Sequence, residues 1–141
     1  MTVEQSSGVT ISDLIDTEGV SSSIGLEVVT EADNGYGNGV GYNSVGYDGA
    51  ALGYPATANS DSYFAYGPGG IYKLTGLDPT KGYDIKILGS REASDGRRAG
   101  TYRINGVTQT IDAENNSTTT ITFAEVLPDT NTESILEFGV Q

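Results

Sequence analysis

Apolar and polar positions alternate along this chain in short runs, and nowhere does an apolar stripe at helical spacing persist long enough for a credible helix. Ile24-Gly25-Leu26-Glu27-Val28-Val29-Thr30 alternates and is β-branched, and Tyr83-Asp84-Ile85-Lys86-Ile87 sets apolar groups on one face and charges on the other, so both predict half-buried strands. Thr101-Tyr102-Arg103-Ile104, Asn105-Gly106 and Val107-Thr108-Gln109-Thr110-Ile111 predict a hairpin, because Asn-Gly accepts the left-handed backbone that a two-residue turn demands. Thr118 to Phe123 and Ile135 to Val140 predict two further strands, separated by Leu127-Pro128-Asp129-Thr130-Asn131, whose proline and Asx residues break a ladder. Ser62 to Tyr66 and Gly70 to Thr75 flank Gly67-Pro68-Gly69 as another pair.

At the amino end Val9-Thr10-Ile11 reads as extended. Ser12 is able to cap a helical turn over Asp13-Leu14-Ile15-Asp16, yet Gly19 and Gly25 interrupt any helix, so a short edge strand or turn is expected. Roughly eight to ten short strands punctuated by glycine predict an all-β fold, an antiparallel β-sandwich with a jelly roll as first choice. Residues 1–141 read as a single domain, long enough to bury its own core.

Between the second and third predicted blocks the pattern dissolves into Gly35-Tyr36, Gly41-Tyr42, Gly46-Tyr47 and Gly53-Tyr54, set among Asn, Asp, Ser and small apolar residues. The spacings of these units are too irregular for a repeat architecture, so they predict one Gly/Tyr-rich loop system. Tyrosine carries a large apolar ring with a polar tip, and Tyr with Gly, Ser and Asn is the palette of binding loops. One reading has the rings covering the loop against the body of the protein. The other places Tyr36, Tyr42, Tyr47 and Tyr54 on a platform where a sugar face or a partner protein stacks.

Charge narrows the choice of partner. Nineteen acids against seven bases, with no histidine, give a net charge of -12. That argues against nucleic acid and anionic membrane as partners, since both need clustered Lys and Arg. Every base lies between Lys73 and Arg103, and Arg91, Arg97 and Arg98 gather around the Asp95-Gly96 turn signal with Glu92. These guanidinium groups either neutralise neighbouring carboxylates or clamp an anion or sugar, for which their planar forks are suited. No run of about 18 apolar residues provides a membrane span, and no basic-then-apolar amino terminus provides a secretion signal in the chain as given. The absence of cysteine removes disulfides and thiol chemistry.

Catalysis without His or Cys reduces to paired carboxylates or a Ser with a Lys base. Asp16 with Glu18, Asp61 beside the tyrosines and Asp95 with Glu92 are the available acids, but exposed carboxylates on an acidic protein serve solubility. There is no Gly-x-Ser-x-Gly elbow, P-loop or HExxH. The chain is expected not to be an enzyme.

The succession Asp13-Leu14-Ile15-Asp16, Ile24-Gly25-Leu26, Tyr54 through Phe64, Tyr72-Lys73-Leu74-Thr75-Gly76-Leu77-Asp78-Pro79 and Tyr83 through Arg91 resembles β-sandwich modules found beside secreted bacterial glycan-active hydrolases and esterases. The resemblance spans most of the chain and implies a galactose-binding-like jelly roll. It carries over no catalytic residue. Modules of that kind often hold a structural Ca²⁺, toward which Asp33-Asn34-Gly35, Asp48-Gly49 or Asp16-Thr17-Glu18 offer oxygen ligands. Asp33 and Asp48 are the metal candidates, with plain Asx turns as the alternative and no other cofactor expected.

Two functions follow as expectations. The first is a non-catalytic glycan-binding or adhesion module that presents a surface. The second is a structural decoration, cement or fibre protein of a virion or other large assembly, suggested by the Met1 start, the acidic surface and the missing export signal. The expected partner is a glycan or a protein of an assembly, an oligomer is compatible with either, and the expected location is extracellular, at a cell surface or at a virion surface.

Overall fold

The computed structural model describes residues 7–16, 18–31, 69–90, 99–129 and 133–139. Within them lie eight strands: β1 (Thr10–Ile11), β2 (Gly25–Thr30), β3 (Ile71–Thr75), β4 (Tyr83–Ile87), β5 (Ala99–Ile104), β6 (Val107–Asp112), β7 (Ile121–Val126) and β8 (Ser134–Gly139). The described residues contain no helix, and every strand pairing is antiparallel, so the fold is all-β as the pattern predicts. Six strands form one sheet in the order β1-β2-β3-β8-β5-β6, while β4 and β7 pair separately. The pairings nest: β5–β6 lies inside β4–β7, which lies inside β3–β8.

Alternation explains which side of the large sheet is buried. Val28 pairs with Tyr72, Tyr72 with Leu136, and Leu136 with Ile104, a single row across four strands. The side chains of Val28, Tyr72 and Ile104 are all buried. One residue along, the pleat turns the other face to solvent, and charges occupy it. Lys73 stands opposite Glu27 with its Nζ 2.7 Å from Oε2 and 3.5 Å from Glu133. Arg103 stands opposite Glu137, whose Oε2 accepts from both Nε and Nη2. Such partly exposed pairs add little stability, but a one-residue slip would bury them, so they help to pin the register.

The β5–β6 hairpin turns through Asn105 (φ 45°) and Gly106 (φ 83°), two left-handed residues as a type I′ turn requires. The passage from β3 to β4 leaves the large sheet. Leu77 is buried there, and the Tyr83 hydroxyl accepts the Asp78 backbone N–H at 2.6 Å. A phenol at a strand start reaching back to upstream backbone is the device of a tyrosine corner. Thr80 donates from both hydroxyl and amide to Asp78 Oδ1, at 2.7 and 2.9 Å, which together with Lys81 holds that carboxyl below its ordinary range.

Between β4 and β7 the register breaks: Tyr83 pairs with Val126 but Ile85 with Phe123. Asp84 thus faces two residues in a bulge. Glu125 takes a left-handed φ of 53° there, its N–H donating to Asp84 Oδ1 at 3.1 Å. β7 itself begins at Ile121, three residues later than the alternation from Thr118 predicts. The Thr118 and Thr119 amides are taken by Asn116 Oδ1, at 3.3 and 2.8 Å, and so are withheld from a ladder. The predicted Ser62 to Tyr66 strand lies outside the described residues. At the amino end Val9-Thr10-Ile11 supplies β1, and Ser12 to Asp16 leads into a turn closed by a bridge from Ile15 to Ser21, with Asp16 Oδ1 accepting the Glu18 and Val20 amides.

Removing the Tyr83 hydroxyl leaves the Asp78 N–H without its acceptor in a half-buried corner, so Tyr83→Phe is expected to lower unfolding free energy by about 1–2 kcal/mol. Urea titration checks it: the midpoint falls at unchanged slope, whereas an unmoved midpoint would assign the corner no energetic role.

Candidate functional site

The register determines where the two segments singled out by sequence join the framework. β2 ends at Thr30, opposite Ile71, the first residue of β3. Ile71 also faces Glu137. β8 continues from there to Gly139, opposite Thr101, and β5 begins two residues earlier at Ala99, opposite Asp112. Thr30, Ile71, Gly139, Ala99 and Asp112 therefore share one end of the large sheet. Segment 32–68 joins the framework between Glu31 and Gly69, and segment 91–98 between Ser90 and Ala99. Only β8 separates β3 from β5, so these attachments stand two strand spacings apart, about 10 Å.

Both attachments are held tightly. At the first, Ser7 donates its amide to Glu31 Oε1 at 2.8 Å and its hydroxyl to the Val29 carbonyl at 3.0 Å. Gly8 donates to the Val28 carbonyl at 2.8 Å, and Val28 to that of Val9 at 2.9 Å. The incoming amino-terminal stretch thereby braces the end of β2 where its register breaks beside Val29.

At the second attachment the chain leaving β4 presses Gly89 onto β5 and β6. A Cβ at Gly89 would sit 2.9 Å from Ile111 Cγ2 and 3.0 Å from Tyr102 Oη, so only glycine allows this approach. Asn116, 8% exposed, fixes it by donating from Nδ2 to the Gly89 carbonyl at 2.8 Å and to the Thr119 carbonyl at 2.7 Å. Its Oδ1 accepts the two threonine amides, so the amide's hydrogen-bonding capacity is fully used. The Tyr102 ring lies over Gly100, and burial pushes its phenol above the ordinary value of 10.0.

Tyr36, Tyr42, Tyr47, Tyr54, Arg91, Arg97 and Arg98, and the metal candidates Asp33 and Asp48, lie outside the described residues. What the topology adds is that their two segments, remote in sequence, are rooted side by side. Acids stand at the same end, with Glu31 at one root and Asp112 accepting the Glu114 amide at 3.0 Å near the other. Among the described residues no three His, Cys, Asp or Glu gather to hold a metal, and no helix is long and apolar enough to cross a membrane.

The residues that position this end, Gly89, Tyr102 and Asn116, went unmarked by the sequence pattern. What sets Asn116 apart is its bond to the Gly89 carbonyl, from a distant part of the chain. Compared with protein-family models, curated proteins and solved structures, the chain matches none.

Asn116→Ala orphans two carbonyls and two amides, one of those carbonyls at the buried Gly89, and is expected to cost about 2–4 kcal/mol, measured as a lowered urea midpoint. Burial favours the protonated Tyr102 phenol in the fold. Its contribution is therefore intact below its ordinary value of 10.0 and lost as pH rises through the displaced value. Unfolding free energies at about pH 8 and pH 11 should differ less for Tyr102→Phe than for the parent; equal differences would show that the phenol is not coupled to folding.

Proposed function

We propose that this chain is a non-catalytic recognition module that binds a glycan through the end of the sheet where segments 32–68 and 91–98 are attached. One observation supports the reading above the others: two segments with complementary chemistry, tyrosines on glycine-rich backbone and clustered guanidinium groups, enter the framework about 10 Å apart at the same end. Binding residues are commonly carried on loops held by a rigid strand scaffold. The roles divide by chemistry. Tyr36, Tyr42, Tyr47 and Tyr54 offer ring faces to the apolar face of a sugar, and Arg91, Arg97 and Arg98 offer forked donors to its hydroxyl or carboxylate oxygens.

The nested pairing of β3–β8, β4–β7 and β5–β6 is the connectivity that rolling up one long hairpin produces. It supports reading the fold as a galactose-binding-like jelly roll, the architecture that the Thr75-Gly76-Leu77-Asp78-Pro79 stretch and its neighbours resemble. A module of this kind works at an extracellular, cell-surface or virion surface. The negative field of the whole chain makes neutral glycans the first choice, with single carboxylates accepted at the arginines.

The test is titration against a panel of neutral and uronic-acid polysaccharides, followed by alanine at the four tyrosines and then at the three arginines. Each set is expected to weaken binding at least about tenfold, more than 1.4 kcal/mol, while the unfolding midpoint stays in place. Absence of saturable binding across the panel would overturn the reading.

A further inference from the structure

The molecule has four open strand edges among its described residues, and three are blunted. β1 is two residues long. β4 and β7 are disrupted by the bulge at Asp84 and Glu125 and carry Asp84, Lys86 and Glu125. These are the usual means by which sheets avoid joining edge to edge. β6 has neither the shortness nor the bulge, and its one charge, Asp112, stands at its last residue. It is six residues long, pairs with β5 in unbroken register from Asp112 to Val107, and contains neither proline nor glycine. From Val107 through Ile111 it carries no charge, in a chain of net charge -12.

The backbone of this edge is turned outward in a definite pattern. In a type I′ hairpin the residues flanking the turn exchange hydrogen bonds, and so does every second pair after them. Ile104–Val107, Tyr102–Gln109 and Gly100–Ile111 are those pairs. The N–H and C=O groups of Thr108, Thr110 and Asp112 consequently point away from β5, and their side chains are exposed on the solvent face.

We propose that this edge pairs antiparallel with the same edge of a second copy, joining two six-stranded sheets across a two-fold axis. The strand is its own complement. Pairing centred on Thr110 sets Thr110 against the second copy's Thr110, and each Thr108 hydroxyl against the second copy's Asp112 carboxylate. Isologous interfaces require this self-complementarity. The two Asp112 carboxylates would lie four residues apart along the strands, roughly 14 Å, beyond the Debye length of about 8 Å at physiological salt. An acidic copy is thus met where the negative field is interrupted.

Sedimentation of the full chain over a concentration series reads the association, and dimer growing with concentration is expected. Thr110→Glu puts two carboxylates face to face at the axis and should weaken the dimer at least about tenfold, with circular dichroism unchanged, because like charges directly opposed are unfavourable. Since the chain has no cysteine, Thr110→Cys reports the register. Hydrogen-bonded partners place their Cα atoms about 5.5 Å apart, inside the span a disulfide bridges. Mild oxidation should therefore link that variant covalently, while Thr101→Cys, on the interior strand β5, stays unlinked. A parent chain that remains monomeric throughout, a dimer undiminished by Thr110→Glu, or equal cross-linking of both cysteine variants would each overturn the proposal.

Discussion

The structure depends on how a two-stranded ribbon is kept against a six-stranded sheet. Two paired strands have too little buried face to persist alone in water. β4 and β7 share no ladder with any other described strand. Apolar burial supplies part of the attachment, through Phe123 at 3% exposure and Ile111 at 4%. The remainder is carried by side-chain amides that reach across where backbone ladders do not. Gln109 donates to the Thr122 carbonyl at 2.8 Å, Asn105 to the Leu127 carbonyl at 2.8 Å, and Asn116 to the Gly89 carbonyl at 2.8 Å. Each engages a carbonyl on β7, on the residue just past it, or on the exit of β4, and the phenol of Tyr83 fixes the entrance to β4.

This way of joining the sheets accounts for the local irregularities. A ribbon held at several separate points must match a surface it does not pair with, and one extra residue on β7 supplies the bend. The left-handed Glu125 is a strained conformation for a side chain of that size, and Asp84 compensates by accepting its amide. The same bulge leaves both ribbon edges uneven. The geometry that seats the ribbon also interrupts its edges, whereas the register of β6 is unbroken along β5. One buried polar atom departs from this pattern of satisfaction: the Ser134 hydroxyl, 1% exposed, has no partner among the described residues. Its strand position opposite Leu74 explains the burial, and nothing in the structure explains the hydroxyl.

Legibility followed the range of the interactions. Tyr83–Ile87 and the Asn105-Gly106 hairpin were read directly because alternation and turn chemistry are local, and nothing distant competes with them. The start of β7 lies later than alternation predicts because the Asn116 side chain takes the Thr118 and Thr119 amides, a local turn that alternation does not register, while its bond to Gly89 fixes it from a distant part of the chain. Gln109 and Asn105 read as a strand residue and a turn residue, which they are. Their second role, as donors to the neighbouring ribbon, appears only once β7 is in place. Composition marks the candidate tyrosines and arginines, but that their segments are attached at one end of the sheet follows from pairing between Ile71 and Glu137 and between Thr101 and Gly139, contacts far too remote in sequence for periodicity to reveal.

The loop-bearing end and the β6 edge meet at Asp112, and their combination has a geometric consequence. Strands joined edge to edge in antiparallel fashion point in opposite directions, so a two-fold axis through Thr110 would turn the attachment points of the second copy to the far end of the joined sheet. The two loop-bearing ends would then point in opposite directions, their Asp112 residues roughly 14 Å apart along the strands. Linked sites gain affinity only when both can be engaged at once, so the opposed orientation of the two ends decides what such a pair could hold. The polar outer faces, with the Lys73–Glu27 and Arg103–Glu137 pairs, would remain on a common side, because the axis runs perpendicular to the sheet. Joined in this way, the two ends would be connected by a continuous hydrogen-bonded sheet, the stiffest link that this all-β framework is able to supply.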